Sequence, residues 1–163
     1  MTPAQLLTLK TDILSRQLTD FVGMGPFDGT GDNPAVANWY NVLVTPTVQL
    51  WRSDITVREM RRVINWSDYA GLTPNGTQKQ ATYLALTQDP EGVDATDQGL
   101  RDALLAIFGN GSASLNGLLS IAMHPATRFQ ALFAGATVQG AKVSPFYGQS
   151  LTSDNVRLAL QVV

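Results

Sequence analysis

The sequence predicts a mostly α protein: a single-domain bundle of short helices with a small β-hairpin or extended arm near the C-terminus. Three observations carry this. Apolar residues recur at spacings of three and four through most of the chain. Each such run is short and is bounded by glycine, proline or a Ser, Thr, Asp or Asn cap. Beyond Gly135 the character changes to β-branched residues set between glycine and proline breaks. With 163 residues the chain is predicted to form one helical domain over 1–163. A flexible loop is expected at 23–31 and the arm or hairpin at 136–148.

Thr2, Pro3 and Gln5 form a capping box with proline at the first helical position. Leu6, Leu9, Ile13, Leu14, Leu18 and Phe21 share one stripe and predict a helix to about Val22. Gly23 to Gly31 holds four glycines and a proline in addition to Met24 and Phe27, and breaks it. Asn33 is expected to cap a second helix starting on Pro34 and turning Val36, Trp39, Tyr40 and Leu43 inward, until Thr45-Pro46 ends it. Thr47 to Trp51 alternates polar and apolar residues and reads as an extended segment or short strand. Thr56 and Glu59 box a third helix whose apolar face is Val57, Met60, Val63 and Ile64, with Trp66 just past its end.

Thr77 with Gln80 opens a helix to Leu86, and Asp89-Pro90-Glu91-Gly92 turns the chain. Leu100, Leu104, Ile107 and Phe108 pattern the next helix, entered through Asp94 to Asp97 and stopped at Gly109. After Gly109-Asn110-Gly111-Ser112, the residues Leu115, Leu118, Leu119 and Ala122 form a helix that must end by His124, since Pro125 follows. Pro125 is expected to start another, over Ala126 to Ala134. Thr152 or Ser153 caps a terminal helix with Val156, Leu158 and Leu160 inward.

Charge is scarce: 11 Lys and Arg with 13 Asp and Glu make 15% of the chain, against about 25% in a typical soluble domain. Thr, Gln, Ser and Asn finish the surface instead, and these lose little when another protein covers them. The composition suits one subunit among many. A net charge of −2 gives no long-range attraction to nucleic acid. Cysteine is absent, which removes thiolate chemistry and zinc ribbons and fits assembly in a reducing cytosol. No apolar run approaches the ~18 residues of a membrane span, and Lys10, Asp12 and Arg16 interrupt what would be a signal peptide's apolar core. No cofactor and no membrane partner are expected.

His124 is the single imidazole. A hydrolase would pair it with a serine and a carboxylate, but no Gly-x-Ser-x-Gly elbow is present, and a capping or hydrogen-bonding histidine is the plainer reading. Gly109-Asn110-Gly111-Ser112 lacks the lysine and spacing of a phosphate loop and reads as a helix connector. Asp89, Glu91, Asp94, Asp97 and Asp102 lack the spacing of a calcium loop and read as helix-entry charges.

Arg58, Arg61 and Arg62 share one helix face, with Arg52 upstream, and are the one local concentration of positive charge. The face is either a dock for an acidic partner or for passing DNA phosphates, or a solvated surface balanced by Glu59 and Asp54. Trp39, Trp51, Trp66, Tyr40 and Tyr69 are read as core, with an interface as the alternative. Met24 and Phe27 in the first glycine-bounded segment, and Phe146 and Tyr147 in Gly140 to Gly148, are expected to be exposed contact residues.

Read in order, Thr2-Pro3-Ala4-Gln5-Leu6, Leu50-Trp51-Arg52, Leu100-Arg101 with Ile107-Phe108-Gly109, and Ala126-Thr127-Arg128 with Leu132-Phe133-Ala134 resemble a family of small, mostly uncharacterised virion proteins of tailed bacteriophages. The last motif is the most specific. Family members tend to read Val-Trp-Arg and to carry more charge after Ala-Thr-Arg; Leu50 and Phe129-Gln130 depart from that. The resemblance brings no catalytic residues, so it implies no enzyme. It implies a structural component of the particle, assembled in the host cytoplasm: a head-to-tail adaptor (connector, neck) subunit in a homo-oligomeric ring beneath the portal, meeting portal and tail proteins. A capsid decoration or tail-tip protein is the alternative.

Overall fold

The structure is a computed structural model and describes residues 1–72, 76–86, 88, 92–135, 137–138 and 141–162, with the backbone alone at 76–78, 86 and 137–138. The protein is mostly α with a small mixed sheet. The chain groups into two compact units, each assembled from segments distant in sequence.

The first unit comprises residues 1–47, 126–133 and 148–163. It holds helices α1 (Pro3–Ser15), α2 (Asn33–Tyr40), α8 (Arg128–Leu132) and α9 (Ser153–Gln161). The Thr2 capping box forms as predicted, but α1 stops at Ser15, well short of Val22. Two local competitors end it. The Ser15 hydroxyl donates to its own helix at the Asp12 carbonyl (2.7 Å), and the Arg16 carbonyl gathers the amides of Thr19, Asp20 and Phe21 into a turn. Leu9, Ile13 and Phe21 are fully buried, whereas Leu14 and Leu18 lie on the outside, Leu18 at 86% exposure. The predicted stripe is therefore half right.

Asp32, not Asn33, precedes the first turn of α2, and it makes no side-chain cap; Asn33 turns back to the Gly29 carbonyl (2.9 Å). Leu43, expected inside, lies beyond the helix end, bridged to Thr127, and is exposed. Tyr40 is buried and donates to Asp12, which also takes the Arg16 guanidinium at 2.8 Å. Burial and that carboxylate push the tyrosine hydroxyl well above its usual value. Trp39 is half-buried between two guanidiniums, Arg128 at 4.1 Å and Arg16 at 5.1 Å from its ring. Pro125 does not open α8: Thr127 does, through a capping box with Gln130. In α9, Val156, Ala159 and Leu160 are buried and Leu158 faces out.

The second unit comprises 48–125 and 134–147. Strands β1 (Gln49–Trp51), β2 (Met123–Pro125), β3 (Thr137–Val138) and β4 (Ala141–Lys142) form a sheet ordered β2-β1-β4-β3. β1 runs antiparallel to β2, with Leu50 opposite His124, and parallel to β4; β3 and β4 form the expected hairpin. Residues 136, 139 and 140 of the predicted arm, and Asp89 and Glu91 of the predicted acidic turn, lie outside the described residues. Pro125 sits at the end of β2, where a missing N–H is tolerated.

Around the sheet lie α3 (Val57–Val63), α4 (Trp66–Ala70), α5 (Gly76–Leu86), α6 (Gln98–Phe108) and α7 (Ala113–Ala122). α4 is a turn of helix the sequence reading missed, capped by the Asn65 side chain accepting from the Ser67 amide at 2.9 Å. α6 begins after Asp97 and ends at Gly109, whose φ of 79° is the left-handed stop that glycine supplies. The core gathers Trp51, Ile55, Met60, Leu104, Ile107, Leu115 and Leu118. Gly117 lets α7 approach α3 closely: a Cβ there would lie 2.6 Å from the Val63 carbonyl oxygen.

Candidate functional site

The most distinctive surface of the second unit is built on α3. The Thr56–Glu59 capping box fixes its first turn, and burying Met60 turns the opposite face outward. That face carries Arg58, Arg61 and Arg62, all exposed. None of the three makes a hydrogen bond or ion pair among the described residues.

The acids expected to balance them are held elsewhere. Arg52, following β1, reaches Asp54 through Nε at 3.0 Å and Glu59 through Nη1 at 2.9 Å. The same guanidinium donates to the Tyr147 hydroxyl (3.0 Å) and the Ile121 carbonyl (3.1 Å), while the Arg52 backbone bridges Ala122 and Ala95. Glu59 also accepts from the amide and hydroxyl of Thr56, each at 2.8 Å. These Thr56 bonds first, then Arg52, lower the Glu59 carboxyl to about 2. Asp68, the next acid along, accepts from the Ser114 amide at 2.8 Å. Among the described residues the three arginines therefore form a cationic face that no carboxylate bonds.

Trp66 adjoins this face in the chain and is 63% exposed, its ring edge-on to Tyr69 at 5.7 Å. The sequence predicts it in the core, with an interface as the alternative, and its exposure excludes the core. Its position in the first turn of a helix opened by Asn65, with Ser67 and Asp68 beside it, was the available signal that it faces outward. Trp51 and Tyr40 are buried as expected.

The other expected contact residues are distributed differently. Met24 and Phe27 are half-buried, and Phe27 lies 6.1 Å from the buried ring of Phe21. Phe146, expected on the surface, is 7% exposed: the Ser144 hydroxyl accepts from its amide at 3.3 Å in a turn that carries the ring inward. Tyr147 is half-buried, with its hydroxyl on Arg52. Burial raises that hydroxyl above the usual tyrosine value.

His124 stands on β2 with its ring 5.1 Å from that of Tyr147, and no serine or carboxylate is bonded to it among the described residues. Asp54 and Glu59 are tied to Arg52, and Glu59 stays ionised, so it accepts hydrogen bonds but cannot supply a proton near neutral pH. No group of His, Asp and Glu suited to a metal ion occurs among the described residues. No helix among them is long and apolar enough to cross a membrane. What the arrangement can do is bind: an anionic or acidic surface finds on α3 three exposed guanidiniums that no carboxylate bonds among the described residues. Compared with protein-family models, with curated proteins and with solved structures, the chain matches none.

Proposed function

We propose that the protein is a structural component of a tailed-bacteriophage particle, a head-to-tail adaptor (neck) subunit that assembles with copies of itself as a ring beneath the portal. The observation that carries this reading is the arginine face of α3: Arg58, Arg61 and Arg62 are exposed while every neighbouring acid described is bonded to another group. In a chain this poor in charge, an uncompensated cationic face is suited to meeting acidic portal or tail surfaces, where it would guide encounter and fix register. Passing DNA phosphates would be attracted by the same charges. The resemblance of the motifs from Thr2 to Ala134 to virion proteins supplies the setting.

A ring needs heterologous contacts, in which one face of a subunit meets a different face of the next. Leu7, Leu14, Leu18 and Val22, exposed on α1 and the turn after it, offer a second, apolar face. In this role the helices of each unit form a short-helix bundle of their own, and the β3–β4 hairpin is the arm that reaches a neighbour. Phe146 is dropped from the contact set because it is buried.

Mass measurement of the purified chain over a range of concentrations, with and without a portal complex, tests the proposal. Monomers that close into discrete rings or bind the portal support it. A fixed dimer or trimer indifferent to the portal supports capsid decoration or a tail-tip position instead.

A further inference from the structure

A cavity of about 300 Å³ lies in the second unit between Trp51, Met60 and the facing sides of α6 and α7. Its walls are apolar except for Arg101 and Asn110. Its volume falls at the lower end of the range of small-ligand pockets, which are lined mostly by apolar side chains with a few polar groups that fix orientation. Leu105 and Asn110 line it and are themselves exposed, which places its mouth at the end of α6.

Arg101 is the unusual wall. It is 7% exposed, and its guanidinium lies 4.7 Å over the Trp51 ring. One terminal nitrogen donates to the Ala95 carbonyl and the other to Gln98 Oε1 at 2.5 Å. Nε is buried with no hydrogen-bond partner, and no carboxylate forms an ion pair with Arg101 among the described residues. The acids on either side along the chain are otherwise engaged: Asp97 accepts from the Gly99 amide and Asp102 from the Gln98 amide nitrogen, both at 2.7 Å. A buried cation without an anion is strongly disfavoured, and an aromatic face offsets only part of that.

One occupant answers both features: an apolar body that fills the void and a single anionic head that meets the guanidinium. At about 30 Å³ for each small non-hydrogen group, the cavity holds about ten such groups. Guanidinium has five N–H donors in a planar fork that matches a carboxylate, and two of these are used by Ala95 and Gln98. We propose that this cavity is a binding site for a medium-chain monocarboxylate, with a chain of about eight carbons among the apolar walls and its carboxylate on Arg101. The site is independent of the arginine face of α3 and of the particle role proposed above.

Calorimetric titration of the full chain with octanoate, and separately with 1-octanol, tests the assignment. Octanoate is expected to bind saturably, one per chain, at least about tenfold more tightly than 1-octanol, because only the acid brings a negative charge and two oxygens to the guanidinium fork. Arg101→Met is expected to abolish the preference for the acid, so that octanoate and 1-octanol bind the variant equally. In the unmodified protein, octanoate and not 1-octanol is expected to shift the Arg101 Nε–H resonance, a readout that decides the matter even if the variant does not fold. Equal affinity for acid and alcohol, non-saturable binding, no binding of octanoate, or a folded Arg101→Met chain that binds octanoate undiminished would each overturn it.

Discussion

The guanidinium of Arg52 takes the Glu59 carboxylate at 2.9 Å and so removes from α3 the one acid that its own arginines could have used. Arg58, Arg61 and Arg62 consequently face outward without a hydrogen bond or ion pair among the described residues. Surface changes away from such contacts usually alter stability by no more than about 0.5 kcal/mol. Replacing all three by Gln is therefore expected to leave the thermal midpoint nearly unchanged while weakening assembly with acidic partners. Thermal denaturation followed by assembly or infectivity assays checks both halves. Infectious, intact particles from the triple variant would remove the arginine face from the proposed function.

Glu59 makes stability depend on acid. Its carboxyl is lowered from 4.5 to about 2 by the Thr56 bonds and by Arg52. A carboxyl depressed in the folded state contributes its full stabilisation above its unfolded value, near 4.5, and loses it as pH falls towards 2. The expected result is a denaturation midpoint that declines through that window, and a shallower decline in Glu59→Gln. Identical acid limbs for the two proteins would show that the Thr56 and Arg52 bonds do not stabilise the folded chain.

Local signals in the sequence were sufficient where an element is closed by its own residues. α6 has its apolar face at Leu104 and Ile107 and its stop at Gly109 as the spacing predicts, and of the acids expected at its entry, Asp94 to Asp97, it is Asp97 that caps it. The reading failed where distant residues decide. Pro125 belongs to a strand because Gln49 pairs with it, and nothing near Pro125 encodes that partner. The end of α1 turns on whether Ser15 and Arg16 bond locally, which the continuing apolar spacing at Leu18 concealed. The three arginines were legible as a face, but their lack of counter-charge was not, since Glu59 is adjacent in sequence and bonded to Arg52 in space. Arg101 did leave a trace: it lies three residues before Leu104 and seven before Phe108, on the apolar side of its helix.

Gly117 is expected to resist substitution. A Cβ there would meet the Val63 carbonyl oxygen at 2.6 Å and the Val63 Cβ at 3.1 Å, and backbone cannot give way as a flexible side chain can. Although alanine is the better helix former, Gly117→Ala must push α7 off α3, at a cost of about 1–3 kcal/mol typical of overpacking. Urea denaturation measures it. An unchanged or raised midpoint would mean that the two helices do not meet this closely.

Tyr83 should behave in the opposite sense. It is 5% exposed, its ring packs edge-on against Tyr69 at 5.8 Å and Phe108 at 5.5 Å, and its hydroxyl is buried without a hydrogen-bond partner among the described residues. Burial accordingly raises that hydroxyl above the ordinary tyrosine value. Tyr83→Phe keeps both ring contacts and removes a polar atom whose desolvation nothing repays, so stability is expected to stay level or rise by about 1 kcal/mol. A denaturant midpoint that falls clearly below that of the unmodified chain would show that the hydroxyl has a partner in solution.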